Sequence, residues 1–81
     1  MTNGEYMVCI REFDEDGFLE KELDERNGWS KEKALEIMRK EADMFLERED
    51  DPPKELRDYG GECIYVCRDG RMFMAYIKAV I

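Results

Sequence analysis

The stretch that decides the fold is residues 62–80, ECIYVCRDGRMFMAYIKAV, which reads as one β-hairpin. Residues 62–68 and 71–80 are rich in the β-branched and aromatic side chains that favour strands. Between them, Asp69-Gly70 is a dipeptide favoured in a two-residue type I′ turn, where both turn residues take a positive φ. We therefore predict a strand, a tight turn and a second strand.

This turn would make both faces of the hairpin apolar. It places Val66 opposite Phe73 on one face and Cys67 opposite Met72 on the other. Along the second face the hairpin then carries Tyr65, Met72, Met74 and Tyr76. A strand buried on one side should alternate apolar and polar residues, and this hairpin hardly does. The sheet therefore needs cover on both sides.

A single long helix is predicted over residues 31–49. Its apolar residues form one stripe, at Ala34, Leu35, Ile37, Met38, Ala42, Phe45 and Leu46. Ser30 stands at the N-cap position, and Pro52-Pro53 prevent the helix from continuing. One helix covers one face of a sheet. The second hairpin face is therefore expected to bind a partner or a second copy, unless residues 50–61 cover it or it is ordinary core.

The first part of the chain reads as another hairpin. Residues 6–13 form an apolar strand, residues 14–17 a charged turn, and residues 18–23 a more polar strand at an edge of the sheet. Residues 24–29 are interpreted as a connection and residues 54–59 as a single helical turn. The sequence thus predicts an α+β fold of one domain, 1–81, in the order β-β-α-β-β. Its four-stranded, mostly antiparallel sheet has the helix on one face.

The strand order stays open at this stage. A parallel pairing of the first and third predicted strands through the helix is one alternative, and it would form a right-handed crossover.

Charge excludes several classes of ligand. The net charge is −8, so free nucleic acid and anionic membranes are unsuitable partners. No apolar run approaches the ~20 residues that span a bilayer, and no signal peptide is expected from residues 1–5. The cysteines are three, an odd number, and Cys63 and Cys67 are too far apart on one strand for a disulfide. A reducing, cytoplasmic location is predicted.

Catalysis is not expected. The chain has no histidine, and its only serine, Ser30, is assigned to the helix cap. No metal site or cofactor is predicted, because there is neither a His nor a Cys-x-x-Cys pair, and no phosphate-binding glycine motif. An enzyme based on carboxylates or on a cysteine stays as a third hypothesis, and it would need two facing acids with raised pKa values in a pocket.

The acids crowd into the first third of the chain, where residues 1–27 hold nine acids and three bases, a net charge of −6. Carboxylates at alternate strand positions lie ~6.6–6.8 Å apart, a spacing comparable with that of phosphates along DNA. We predict that this row binds lysines and arginines of a target protein. The row comprises Glu12, Asp14, Glu15, Asp16, Glu20 and Glu22. A merely solubilising, edge-protecting role is the alternative.

Two non-catalytic functions follow from these features. The leading hypothesis is an acidic module, a nucleic-acid-mimicking inhibitor, that occludes a basic surface of a protein target. Anti-CRISPR and other anti-defence proteins of phages are often small acidic domains, an analogy of size and charge alone. The second hypothesis is a homodimer or adaptor that assembles through the apolar hairpin face, with no mimicry.

Overall fold

The computed structural model describes residues 5–80 as one helix packed on a five-stranded antiparallel sheet. The strands and helix are β1 (Tyr6–Phe13), β2 (Leu19–Trp29), α1 (Lys31–Arg48), β3 (Glu55–Asp58), β4 (Glu62–Val66) and β5 (Met72–Ala79). The predicted α+β class, with one long helix on one sheet face, is confirmed. The predicted four strands are wrong, because the sheet has five. Residues 1–4, where no signal peptide is expected, and residue 81 lie outside the described range.

The helix forms where local signals agree. Ser30 caps it, because its hydroxyl accepts a hydrogen bond from the Lys33 N–H at 3.2 Å. Glu49 is already extended, and the prolines that follow at 52–53 exclude further helical turns. The predicted range 31–49 is therefore confirmed to within one residue.

One apolar layer joins the helix to the sheet. The helix buries Ala34, Met38, Ala42 and Phe45 against the sheet. The sheet residues on this side are Val8 and Ile10 of β1, Cys63 and Tyr65 of β4, the adjoining Cys67, and Phe73 and Ala75 of β5. Phe45 stacks on Phe73 with ring centroids 4.4 Å apart, and Tyr65 stacks on Phe73 at 5.6 Å. These aromatic contacts fix the helix across the central strands.

The predicted helical turn at residues 54–59 is wrong, because residues 55–58 form the fifth strand of the sheet, β3. Gly60-Gly61 is a two-residue hairpin turn, closed by a 2.8 Å hydrogen bond from the Tyr59 N–H to the Glu62 C=O. Gly60 takes a φ of +87°, which glycine adopts without the steric cost of a side chain. The turn folds residues 55–58 back on β4, so they form strand rather than helix.

The second strand is longer than predicted. Residues 24–29, interpreted as a connection, continue β2 to Trp29, which pairs with Tyr6. A bulge absorbs the Asn27-Gly28 dipeptide, since the pairing shifts between Tyr6 and Val8 and Gly28 has a φ of +66°. The dipeptide therefore bends this strand without ending it.

The sheet order is β2-β1-β5-β4-β3, so the last strand of the sequence lies at the centre. β5 pairs antiparallel with β1 on one side and with β4 on the other. The alternative of a parallel pairing between the first and third predicted strands is wrong. β2 and β3 form the two edges of the sheet.

The turn of the C-terminal hairpin differs from the prediction by one residue. The Gly70 N–H donates to the Cys67 C=O at 3.1 Å, and the Cys67 N–H donates to the Arg71 C=O at 2.8 Å. Only Gly70 in this turn has a positive φ, +99°, whereas a type I′ turn would require one at Asp69 too. The loop therefore has three residues, 68–70, with Gly70 in the bulge position.

This longer loop shifts the register of the whole hairpin. Val66 pairs with Met72 and Tyr65 pairs with Phe73, whereas the predicted turn placed Val66 opposite Phe73. A shift of one residue on one strand moves that strand's side chains to the opposite faces. Cys63, Tyr65 and Cys67 consequently face the helix.

Candidate functional site

The face of the sheet opposite the helix is apolar at its centre. β1, β5 and β4 supply half-buried side chains to it, and we call this surface the open face. The open face is defined by Phe13, Ile64, Val66, Met72, Met74 and Tyr76. Within residues 5–80 no helix or additional strand packs over it, because α1 lies on the other side. The described chain therefore provides no cover for this surface.

Cross-strand pairing makes the open face continuous. Met72 stands between Phe13 of β1 and Val66 of β4, and Met74 stands next to Ile64 in the following row. Directly opposed side chains on a sheet are about 4.5–5.5 Å apart at Cβ, so these residues touch. A contiguous apolar patch on an uncovered sheet face is a candidate interaction surface.

An ionic group borders the open face towards β2. Arg11 contacts Glu22 at 3.3 Å and Asp24 at 2.9 Å, and its guanidinium carbon lies 5.9 Å from the centre of the Tyr76 ring. The hydrogen bond from Arg11, with a smaller contribution from Cys9, lowers the pKa of Asp24. Two carboxylates share the Arg11 guanidinium, which holds these side chains in place, and the charge of Lys78 also contributes to the lowered pKa of Asp24.

The three cysteines are free and buried. Burial is the largest cause that raises the pKa of each thiol above its ordinary value. Raised values keep the thiols protonated at neutral pH, and a protonated thiol is a poor nucleophile. Cys9, Cys63 and Cys67 accordingly serve as small packing residues.

Tyr65 was predicted to lie on one face with Met72, Met74 and Tyr76, and the structure separates it from them. It lies against the helix, 8% exposed, with its ring beside the stacked rings of Phe45 and Phe73, at 6.2 and 5.6 Å from their centres. The three-residue loop is the physical reason, because it shifts β4 by one position against β5. Met72, Met74 and Tyr76 do come together on the open face.

The six predicted partner-binding acids do not form one row. Glu12 lies on the helix side, where it contacts Lys21 at 3.6 Å and Arg48 at 3.2 Å. Glu22 is on the other side of the sheet, beside Arg11. Glu20 is exposed at a register shift between β1 and β2. Strand alternation and this irregularity distribute the carboxylates over two faces.

The remaining predicted acids lie in the turn between β1 and β2. The Asp14 carboxylate accepts hydrogen bonds from the backbone N–H groups of Asp16 and Phe18, at 2.9 and 2.8 Å. It is therefore committed to shaping the turn. Glu15 and Asp16 are exposed at the tip of this turn. Neither side chain forms a hydrogen bond or an ion pair with another described side chain.

Two turns meet at the same end of the sheet. A Cβ built on Gly70 would stand 3.5 Å from the Glu15 backbone oxygen, so the 14–17 turn touches the 68–70 turn. Beside them a depression of about 490 Å³ lies between the 68–70 turn and the helix C-terminus. It is lined in part by Asp50, Asp51 and Arg68. We call this region the acidic end, defined by Asp14, Glu15, Asp16, Asp50, Asp51 and Asp69.

An ion-pair network closes the inner side of this depression. Arg71 contacts both carboxylate oxygens of Glu49 and lies 2.8 Å from Asp69. The hydrogen bond to Glu49 contributes most to raising the pKa of Arg71, and the hydrogen bond to Asp69 contributes next. The network anchors the hairpin turn to the helix C-terminus.

The described residues offer neither a metal-binding cluster nor a membrane-spanning helix. Residues 5–80 contain no group of three or more His, Cys, Asp or Glu side chains placed to hold a metal ion. No described helix combines the length and the apolar character needed to cross a bilayer.

Comparison of the chain with protein-family models, with curated proteins and with solved structures finds no match.

Sequence reasoning missed three of the residues that form the open face. Ile64 and Val66 were predicted on the opposite face of the hairpin, because the predicted turn put β4 in the wrong register. Phe13 was not assigned to a face, because the strand order was open, and its pairing with Met72 places it on the open face. Gly70 carried the missing signal. A glycine that follows two turn residues also fits a three-residue loop, in which it alone takes the positive φ.

Proposed function

We propose that this chain is a non-catalytic binding module that holds a partner protein on the open face of its sheet. The observation that carries the proposal is the contiguous apolar patch around Met72 and Met74, which no described segment covers. Methionine and aromatic side chains adapt to partner surfaces and are enriched at the centres of interfaces.

Charge specifies the chemistry of the partner. The chain carries a net charge of −8, and the rim of the open face holds Glu22 and Asp24 around Arg11. An apolar patch surrounded by lysines and arginines would complement this arrangement, and opposite potentials would accelerate association. Two copies packed through their open faces would instead bring together two chains that each carry a net charge of −8. A basic partner protein therefore fits better than a second copy on this face.

The lack of catalysis rests on side-chain chemistry. The sequence has no histidine to act as a general base, and burial keeps its thiols protonated. Three free cysteines also fit a reducing compartment, so we propose a cytoplasmic location.

A matched pair of variants tests the open face. Met74→Glu puts a charge at the centre of the patch, whereas Met44→Glu makes the same change at an exposed position on the outside of the helix. A protein captured from the source lysate by the wild type is purified and titrated against each variant. We expect Met74→Glu to weaken binding about tenfold or more and Met44→Glu to leave it unchanged. Equal binding by both variants would contradict the proposal.

Nucleic-acid mimicry is the second candidate, and the acidic end favours it. The carboxylates of the acidic end come from the 14–17 turn, which touches the 68–70 turn, and from Asp50, Asp51 and Asp69 around the depression. Three arginines also line the depression, Arg48, Arg68 and Arg71. The carboxylates could occupy a basic groove of a target, so the chain would act as an inhibitor of a nucleic-acid-binding protein.

Charge reversal distinguishes this candidate from binding at the open face. The double variant Glu15→Lys, Asp16→Lys should abolish binding to a basic target and remove most of its salt dependence. The control reverses Glu32 and Glu36, two exposed acids of the helix, and gives the same change in net charge. If both double variants bind alike, the acidic end is not the contact surface.

A further inference from the structure

The edge strand β3 is open to solvent along its whole length. All four of its residues are exposed, and Leu56 presents 60% of its surface. β3 pairs with β4 on one side only, so its other side offers unpaired backbone groups. We propose that β3 binds β3 of a second copy of this chain, antiparallel and centred on Leu56.

The charge sequence around Leu56 is complementary to itself. Residues 54–58 read Lys-Glu-Leu-Arg-Asp, so the signs are plus, minus, neutral, plus, minus. Antiparallel pairing centred on Leu56 places Glu55 opposite Arg57 of the second copy and Leu56 opposite Leu56. Both charged residues that flank Leu56 then face an opposite charge, and such cross-strand pairs stabilise a sheet.

The hydrogen-bonding pattern of β3 agrees with this centre. The Tyr59 N–H donates to the Glu62 C=O, so the backbone groups of Tyr59 point towards β4. In an antiparallel pair every second residue along a strand directs its N–H and C=O to the neighbouring strand. Arg57 and Glu55 therefore direct their backbone groups to β4, while the N–H and C=O of Leu56 point outwards. Two Leu56 residues related by a two-fold axis can exchange both hydrogen bonds, which is what a pairing centred there requires.

The side chains are also on the appropriate sides. Leu56 is paired with Tyr65 of β4, so its side chain lies on the helix side of the sheet. Glu55 and Arg57 lie on the side of the open face. Glu55 and Arg57 already contact each other at 3.1 Å within one strand. They would become a non-hydrogen-bonded pair across the dimer, where opposed side chains are closest. Each contact would occur twice because of the symmetry.

The other edge of the sheet is unsuitable for such pairing. β2 contains two register shifts, which interrupt its backbone pattern, whereas β3 pairs regularly with β4 over 55–58. Residues 54–58 are locally neutral, with two bases and two acids, in a chain of net charge −8. Two copies can therefore approach at β3 with the least electrostatic repulsion.

The resulting dimer would have one continuous ten-stranded sheet. Both helices would lie on one side and both open faces on the other, since opposed residues of paired strands share a face. The pairing leaves the open face free, so it goes beyond the function proposed above and does not depend on it. A four-residue strand buries far less than the ~800 Å² per partner of a stable interface, so a weak, concentration-dependent dimer is expected.

Two single charge reversals test the pairing. Glu55→Arg puts arginine opposite arginine in its own homodimer, and Arg57→Glu puts glutamate opposite glutamate. Sedimentation velocity over a concentration series should show that each variant alone dimerises about tenfold or more weakly than the wild type. An equimolar mixture of the two variants restores both opposite-charge contacts, and we expect it to dimerise like the wild type.

The mixture separates pairing from folding. Both variants lose the same contact between residues 55 and 57 within one chain, so a folding defect would persist after mixing. Met74→Glu, which alters only the open face, should dimerise like the wild type. The inference is overturned if the wild type stays monomeric at every concentration, if the reversals have no effect, or if mixing restores nothing. A dimer that Met74→Glu splits would likewise overturn it, by locating the contact on the open face.

Discussion

The two sides of β5 contrast in burial although both are apolar. Phe73 and Ala75 face the helix and are at most 1% exposed, whereas Met72, Met74 and Tyr76 alternate with them and stay half-buried. The fold requires only the first set, because one helix can cover only one face. Within residues 5–80 nothing accounts for the apolar character of the second set, which is why the open face carries the functional proposal.

The largest effect is expected on the helix side. Phe73→Ala removes a ring that stacks on Phe45 and Tyr65 and leaves a cavity between the helix and the sheet. We expect the free energy of unfolding, measured by urea denaturation, to fall by about 3–5 kcal/mol. Met74→Ala is the control on the other side of the same strand. If the two variants lose equal stability, the two sides do not differ as described.

The loop that decides which residues face the helix gives the next effect. Gly70 has a φ of +99°, and a Cβ there meets only ordinary contacts, so strain rather than crowding is the expected penalty. Gly70→Ala should lower the free energy of unfolding by about 1–2 kcal/mol. Gly61→Ala is the matched control, because that glycine lacks a positive φ and has room for a methyl group. Equal losses in both variants would argue against the three-residue loop.

The parts of the fold that are determined by residues adjacent in the sequence were predictable. The helix at 31–48 has its cap at Ser30, its apolar stripe and its terminating prolines within one segment. β3 has no such signal. The segment Glu55–Asp58 is charged at three of four positions, and it is a strand only because the following turn pairs it with β4. Tertiary pairing overrode the local pattern there.

The candidate surface was predictable only in its general character. The sequence indicated an apolar hairpin face without a cover, and Met72, Met74 and Tyr76 do lie on one. It could not exclude Tyr65, because one residue in the loop decides the register, and β4 is apolar at consecutive positions from Cys63 to Val66, so its pattern does not show which side faces the helix. The acidic row depended on ideal alternation, which the bulge near Glu20 interrupts.

The third effect tests whether the open face behaves as surface in the free protein. Met74 stands opposite Arg11 of β1, so Met74→Glu places a carboxylate next to a cation on a half-buried face. The free energy of unfolding should change by less than about 1 kcal/mol, with an unchanged urea m-value. Circular dichroism during urea titration measures both. A loss of several kcal/mol would show that the open face behaves as core in the monomer.

The smallest effect concerns the ionic rim and depends on pH. The hydrogen bond from Arg11 lowers the pKa of Asp24 below its ordinary value of 3.8, so the folded state binds this proton less readily than the unfolded state. The contribution of Asp24 is therefore complete above pH 3.8 and is lost as the pH falls through the lower folded value. Urea titrations of the wild type and Asp24→Asn should show a difference in stability at pH 6 that shrinks below pH 4. High salt should reduce the difference at pH 6, because the pair is exposed. In an Arg11→Ala background the same substitution should have a much smaller pH-dependent effect, because only the weaker contribution of Cys9 and the charge of Lys78 remain, and an undiminished difference there would mean that Arg11 does not hold the rim in place.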